Sequence, residues 1–199
     1  MVTTGFSKPY VAKYSNTGAS VTYSGGMSLG RGVSLSLEVE TADDNNFYAD
    51  NVLAETETGT FTSGTATITV DGLTNEAATL ILGLPTPTSF SYGDDQSVQM
   101  QGYGAMNPPY VGYGCVWMTQ MEGVTKWWPV ILPKVKFGIP SQDMVTKEDQ
   151  IDWQTQELTA TIQRDDTTAA NWKVISAEGM DSEAEAFAVV QAYLGGEST

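Results

Sequence analysis

"TGTFTSGTATITVDG", residues 58–72, decides the fold. Ala66, Ile68 and Val70 are apolar at even positions and Thr65, Thr67 and Thr69 polar at odd ones, the period of two that marks a strand with one buried face. Phe61 breaks the phase, because it is apolar at an odd position. One extra residue swaps the faces of a strand, so a bulge at Ser63-Gly64 is expected to absorb the slip. The stretch upstream, "VSLSLEVE" at 33–40, reads the same way, with Val33, Leu35, Leu37 and Val39 on one face and Ser34, Ser36, Glu38 and Glu40 on the other.

Alternation continues downstream. "YVGYGCVWMTQMEGVTKWWPVILPKVKF" reads as two long strands joined by a hairpin turn at Glu122-Gly123. Pro129 and Pro133 offer no backbone donor, which points to an edge strand or to bulges. In 150–164, Ile151 and Trp153 have one parity and Leu158, Ala160 and Ile162 the other, so the strand is expected to be re-aimed near Thr155–Glu157. "NWKVISA", 171–177, is a last short strand. Two helices interrupt the β pattern. One has Thr74 as N-cap, Glu76 in its first turn and Gly83 as its stop. The other has Ser182 and Glu185 at capping-box spacing, a stripe of Phe187, Val190 and Leu194, and Gly195-Gly196 at its end. Residues 85–110, rich in Pro, Gly, Ser and Tyr, predict an exposed irregular insertion around one short strand at Ser97–Gln101. No repeat or composition break divides the chain. The expectation is a single mainly β (α+β) domain over 1–199, a β-sandwich or barrel-like fold with one or two flanking helices.

The composition narrows the function. The chain has 199 residues, no histidine and one cysteine. That removes histidine-dependent triads, histidine-ligated zinc and any intramolecular disulfide. No apolar run is long enough for a transmembrane helix. The N-terminus shows no secretory h-region, and the expected setting is a reducing cytoplasm. Of the net charge of −15, residues 1–37 carry +3, residues 38–95 carry −11 and the remainder −7. No Lys or Arg occurs between Arg31 and Lys126. A nucleic-acid binder needs cations against phosphate, and this acidic tract should repel DNA.

The oxygen-rich run Asp43, Asp44, Asn45 and Asn46 invites a calcium reading, but its donors are consecutive and Phe47 stands where a ligand or glycine is wanted. A partner-contacting loop over about 40–58 fits better. The acid pairs Asp94-Asp95, Asp165-Asp166 and Glu148-Asp149 are poor two-carboxylate sites, because sequence neighbours in a strand point to opposite faces. "RDDT" at 164–167 reads as a turn. Trp117, Trp127, Trp128, Trp153 and Trp172 could form a sugar-stacking platform or serve as core and interface anchors. Cys115 is expected to be buried rather than reactive. No phosphate loop, nucleophile elbow or cofactor motif is present. The reading is of a protein that is not an enzyme and holds no cofactor or metal.

Five stretches, in order and spacing, carry a resemblance: "GFSKPYVAKYSN", "DDNNFYADNVLAE", "GTFTSGTATITVDGLTNEAATLILGL", "EGVTKWWPVILPKVKFGIPSQDMVTKEDQIDWQTQELTATIQRDD" and "DSEAEAFAVVQAYLG". Together the chain resembles the major tail proteins of long non-contractile-tailed phages and prophages of Gram-positive bacteria, nearly end to end and faintest at 85–110. The resemblance implies a tail-tube subunit in a virion tail, assembled in the host bacterial cytoplasm. Such subunits form stacked homohexameric rings around a channel for genome delivery, with tape-measure, tail terminator and distal tail proteins as partners. DNA would pass without specific binding. It further implies that the 40–58 loop meets neighbouring subunits, with Phe47, Tyr48 and Leu53 buried there and Asp43, Asp44, Asn45 and Asn46 satisfying donors or cations across the contact. Candidates for lumen or ring strands are 59–71, with its Thr65, Thr67 and Thr69 face, and 150–164, which offers Asp152, Gln154, Gln156 and Glu157. The alternative from another class is a secreted or surface β-sandwich module binding carbohydrate or protein; a carboxylate hydrolase ranks third.

Overall fold

The structure, a computed structural model, describes residues 2–93, 96–141 and 155–195. β1 (Val2–Thr17) and β2 (Ser20–Ser28) form a hairpin, followed by β3 (Gly32–Thr41). β4 (Asn45–Ala49) and β5 (Val52–Glu57) pair only with each other, and β6 (Phe61–Val70) then leads into α1 (Asn75–Leu82). β7 (Thr88–Tyr92) and β8 (Gln96–Met100) form a second isolated pair. The long β9 (Val111–Met121) and β10 (Val124–Phe137) precede β11 (Gln156–Gln163), β12 (Val174–Ile175) and α2 (Glu183–Tyr193).

One antiparallel sheet runs in the order β2-β1-β9-β10-β11-β6-β3, with β12 added to β10. The hinge of this sheet is β10. From Val124 to Leu132 it pairs with β9; its register then shifts, and Lys134 to Phe137 pair with β11. The sheet thereby folds over itself as a sandwich. Its filling combines Val11 from β1, Ala66, Ile68 and Val70 from β6, Tyr113 and Cys115 from β9, Leu132, Val135 and Phe137 from β10, and Leu158, Ala160 and Ile162 from β11. α1 closes this core with Ala77, Ala78, Ile81 and Leu82. A second cluster lies outside the β1-β9-β10 layer, where Tyr10, Ala12, Val116 and Ile131 are covered by Ala186, Val190 and Leu194 of α2. Burying a Val or Leu side chain of this kind stabilises by about 1.5–3 kcal/mol. The expected mainly β fold with flanking helices is what the chain adopts.

Both helices start where their caps predict. The Thr74 side chain accepts from Ala77 N, and Ser182 from Glu185 N. α1 stops at Gly83, whose φ of 60° is left-handed and which leaves no room for a side chain. The turn at Glu122-Gly123 is the expected one, with φ of 51° and 81°. Positive φ at both central residues matches the right-handed strand twist.

Several expectations are corrected. The slip in β6 sits at Thr62, one residue before Ser63-Gly64, because Glu40 faces Ser63 while Thr41 faces Phe61. Val33 is itself the extra residue of a second irregularity between Gly32 and Ser34, so it lies exposed while Leu35 and Leu37 pack inward. β10 is an interior strand. Pro133 falls within its register shift, and Pro129 faces the short β12 side, where it lends its carbonyl to Ser176 N and no donor is called for. The 40–58 segment is a β-hairpin instead of a loop, turning at Asp50-Asn51 with φ of 51° and 63°. The 85–110 region is exposed as expected but holds two paired strands. β11 is described from Gln156; Asp152, Gln154, Trp153, the end of α2 at Gly196 and the pairs Asp94-Asp95 and Glu148-Asp149 lie outside the described residues.

Candidate interaction surface

The β4–β5 hairpin has every residue exposed. Phe47 and Tyr48 are each 63% exposed, Val52 66% and Leu53 49%. Two of the four acidic or amide residues at its base act within the chain. Asp44 Oδ1 accepts from Gly59 N at 2.8 Å, and Asn46 Oδ1 accepts from Thr56 Oγ1 at 2.8 Å. Asp44 thus closes the neck of the hairpin, where a hydrogen bond from Ala42 N to Thr60 O also crosses. Asn45 and Asn46 are strand residues, opposite Glu57 and Thr56. Phe47 and Tyr48, consecutive in the strand, point to different faces, Phe47 beside Glu55 and Tyr48 beside Leu53, with Ala54 as the extra residue of the register shift on β5. Among the described residues no group of three or more His, Cys, Asp or Glu could hold a metal ion.

The second surface is the outer face of β3, β6 and β11. Register aligns Ser34, Thr69 and Glu157 in one row, Ser36, Thr67 and Thr159 in the next, and Glu38, Thr65 and Thr161 in a third. Their alternate neighbours Leu35, Ile68, Leu158, Ala66 and Ala160 fill the core. Thr65, Thr67 and Thr69 are therefore half-buried members of a hydroxyl face, and Ser34 Oγ bonds Thr69 Oγ1 at 2.9 Å. Glu157 shares this face. Gln156 does not, since it points the other way, lines a groove with Leu73, Asn75 and Ile139, and donates to Ser141 O at 3.3 Å. β6 and β11 each have a neighbour on both sides, so neither can extend the sheet into another chain. Among the described residues the free edges belong to β2 and β3.

The other candidate centres are structural. Asp165 is buried and its Oδ1 accepts from Thr167 N, Thr167 Oγ1 and Asn171 N, at 3.3, 2.7 and 2.9 Å. That is the side-chain-built turn expected of "RDDT". Asp166 binds Lys134 Nζ at 2.8 Å and accepts from Tyr14 OH and Asn16 Nδ2, each at 2.8 Å. The lysine, followed by the tyrosine hydroxyl, holds the Asp166 carboxyl below its ordinary value. Burial, with Asp166 beside it, pushes the Tyr14 phenol up to about 12. Cys115 lies fully buried, and desolvation pushes its thiol up to about 12. The phenol of Tyr113, fully buried in the same core, has no hydrogen-bond partner among the described residues.

Of the described tryptophans, Trp117 and Trp128 face each other across β9 and β10 and Lys173 lies over both Trp117 and Trp172, so these three share one side, while Trp127 packs on the α2 side. All four are partly buried, Trp117 and Trp172 against the inner core, and Trp128 Nε1 donates to Thr119 Oγ1 at 2.8 Å. Trp153 is outside the described residues. No family model matches the chain, and a search of curated proteins finds no match. The segment stood out in sequence by its run of acidic and amide residues followed by an aromatic pair. Its two-stranded form was missed, although Asp50-Asn51 between short runs was a turn signal.

Proposed function

We propose that this chain is a self-assembling structural subunit, the tail-tube protein of a long non-contractile-tailed phage or prophage. Copies would close into hexameric rings that stack around a channel for the genome. The observation that carries this reading is the β4–β5 hairpin, which holds Phe47, Tyr48, Val52 and Leu53 in solvent on two strands that touch no other sheet. An isolated two-stranded hairpin is marginal in water, and exposed apolar side chains concentrated on one mark a contact surface. Unpaired edges at β2 and β3 give neighbouring copies a route to ring closure, which would also remove an aggregation hazard. The outer face of β3, β6 and β11 suits a channel wall, because its hydroxyls and carboxylates leave a passing duplex no cationic grip. In this reading the protein performs no catalysis and holds no cofactor. Tape-measure, terminator and distal tail proteins would meet the tube at its lumen and ends.

The rival, a carbohydrate-binding module, would use its tryptophans together on one exposed surface. None of the described tryptophans is exposed: Trp117, Trp128 and Trp172 share a side but are partly buried, and Trp127 packs on the α2 side, which favours the assembly reading. Negative-stain electron microscopy of concentrated protein, alone and seeded with tail-tip complexes, is the test. Hollow tubes or six-fold rings are expected. Monomers under both conditions would overturn the proposal.

A further inference from the structure

Where β6 begins, cations and aromatic rings alternate. Arg164 lies over Phe61, its Cζ 5.8 Å from the ring centroid. Phe61 stacks on Trp172, centroids 5.0 Å apart and planes at 3°. Lys173 Nζ follows, 5.7 Å from the Trp172 centroid and 4.8 Å from that of Trp117. Arg164 also donates from Nη2 to Phe61 O at 2.9 Å, which fixes the guanidinium over the ring. Arg31, Lys126 and Lys134 each have an aspartate partner. Among the described residues Arg164 and Lys173 have none, as is also true of Lys8, Lys13 and Lys136, but only Arg164 and Lys173 flank a stacked aromatic pair, in a chain where 24 acids face 9 bases. A cation resting on aromatic faces keeps its remaining N–H groups for another acceptor. The ladder therefore presents two uncompensated positive charges flanking a flat aromatic pair.

The β4–β5 hairpin presents the converse. Phe47 stands opposite Glu55 and Asn45 opposite Glu57, so one face carries an aromatic ring with two carboxylates beside it. Phe47, Glu55 and Glu57 line the same shallow concavity. Among the described residues the hairpin joins no other sheet, and Phe47 stays exposed.

We propose that the Phe47, Glu55 and Glu57 face of one copy docks on the Arg164, Phe61, Trp172 and Lys173 ladder of a second copy. The inference rests on the self-assembly reading and names the surface that receives the hairpin. Charge selects the occupant: copies of a chain at −15 repel, and a contact that sets two carboxylates on two unpaired cations removes the local part of that repulsion. Apolar burial of Phe47 against the partly exposed edges of Phe61 and Trp172 supplies attraction that salt does not screen. Hairpin and ladder are different patches, so the contact repeats head to tail wherever two copies do not exchange hairpins reciprocally. Each added copy leaves one free hairpin and one free ladder, which closes a ring or extends a filament.

The test mixes isotopically light and heavy full-length protein and treats the mixture with a water-soluble carbodiimide, which joins carboxylates to lysine amines in contact. Mass spectrometry should find mixed-isotope links from Lys173 to Glu55 or Glu57, reduced about tenfold or more in Glu55→Gln/Glu57→Gln protein. A charge-swap pair gives a second readout. Arg164→Glu/Lys173→Glu and Glu55→Lys/Glu57→Lys proteins should each stay dispersed alone and associate when mixed, because both contacts in the mixture are then matched. Tubes lacking the mixed links would overturn this contact and leave the tube reading standing. Mixed links between copies that never form rings or tubes would support the contact and remove the tube reading. Absence of mixed links at every concentration would overturn the contact.

Discussion

Asp165 and Asp166 are sequence neighbours with divided tasks. The first turns its carboxylate inward to three donors of its own loop, and the second ties that loop to β1 and β10 through Tyr14, Asn16 and Lys134. Lys134 adds contacts to two rings, 5.4 Å from the Tyr14 centroid and 4.8 Å from that of Tyr110. Asp166→Asn keeps the shape and removes the charge. It should lower stability by about 1–2 kcal/mol in urea unfolding, toward the low end because the carboxylate is partly exposed and screened. The sign of the pH dependence follows from the lowered folded value. The stabilisation is fully present above the unfolded carboxyl value of about 4 and is lost as pH falls through the folded one. The difference between wild type and Asp166→Asn should therefore be constant from pH 5 to 7 (about two units) and shrink below about pH 4. A difference that grew on acidification would contradict this assignment. The sequence showed that "RDDT" turns. It could not show which acid faces inward, because that depends on Lys134 of β10 and on Tyr14 and Asn16 of β1, the last 150 residues away.

At the scale of elements, α2 lies flat on β9 because two positions there lack side chains. A Cβ on Gly114 would sit 2.5 Å from Val190 Cγ1, and one on Gly112 would sit 2.7 Å from Leu194 Cδ2. Both contacts are far inside van der Waals distance, so a side chain would lift the helix off Tyr10, Ala12 and Ile131. Gly114→Ala should cost about 1–3 kcal/mol and raise hydrogen exchange across α2 before it does so in β6. Uniform exchange change across the protein would argue against local lifting. The stripe Phe187, Val190 and Leu194 was readable from helical spacing, as was the Ser182 cap. That the helix would cover the outside of the β1-β9-β10 layer was not, since periodicity identifies an apolar face without naming what it meets.

Across the whole molecule, the two isolated hairpins stand apart from the packed sheet. In β7–β8, Phe90 faces Val98 and Thr88 faces Met100, which places exposed apolar side chains on one side and Ser89, Ser91, Ser97 and Gln99 on the other. In β4–β5 the acids and rings share the surface. Neither hairpin contributes to the core clusters. Phe47→Ala with Tyr48→Ala should thus change unfolding free energy by less than about 0.5 kcal/mol. The same double variant should abolish polymerisation in sedimentation and electron microscopy. Normal tubes from it would refute the role given to these rings, and a large loss of monomer stability would mean that the hairpin packs against the body of its own chain.

Alternation in β3, β6, β9, β10 and β11, both helix caps and the Glu122-Gly123 turn were determined by the sequence itself, because each depends on residues within about ten positions of one another. Composition likewise settled the absence of histidine chemistry and the uneven charge. Strand order was a tertiary decision. β10 becomes an interior hinge despite two prolines, because its missing donors fall at a register shift and beside a two-residue strand. The same holds for the separation of Gln156 from Glu157, the splitting of the tryptophans between two faces, and the meeting of Phe61 with Trp172 across more than a hundred residues. Local patterns specify which face of an element is apolar. Only the closure of the sheet determines which two faces share a core and which side chains remain in water.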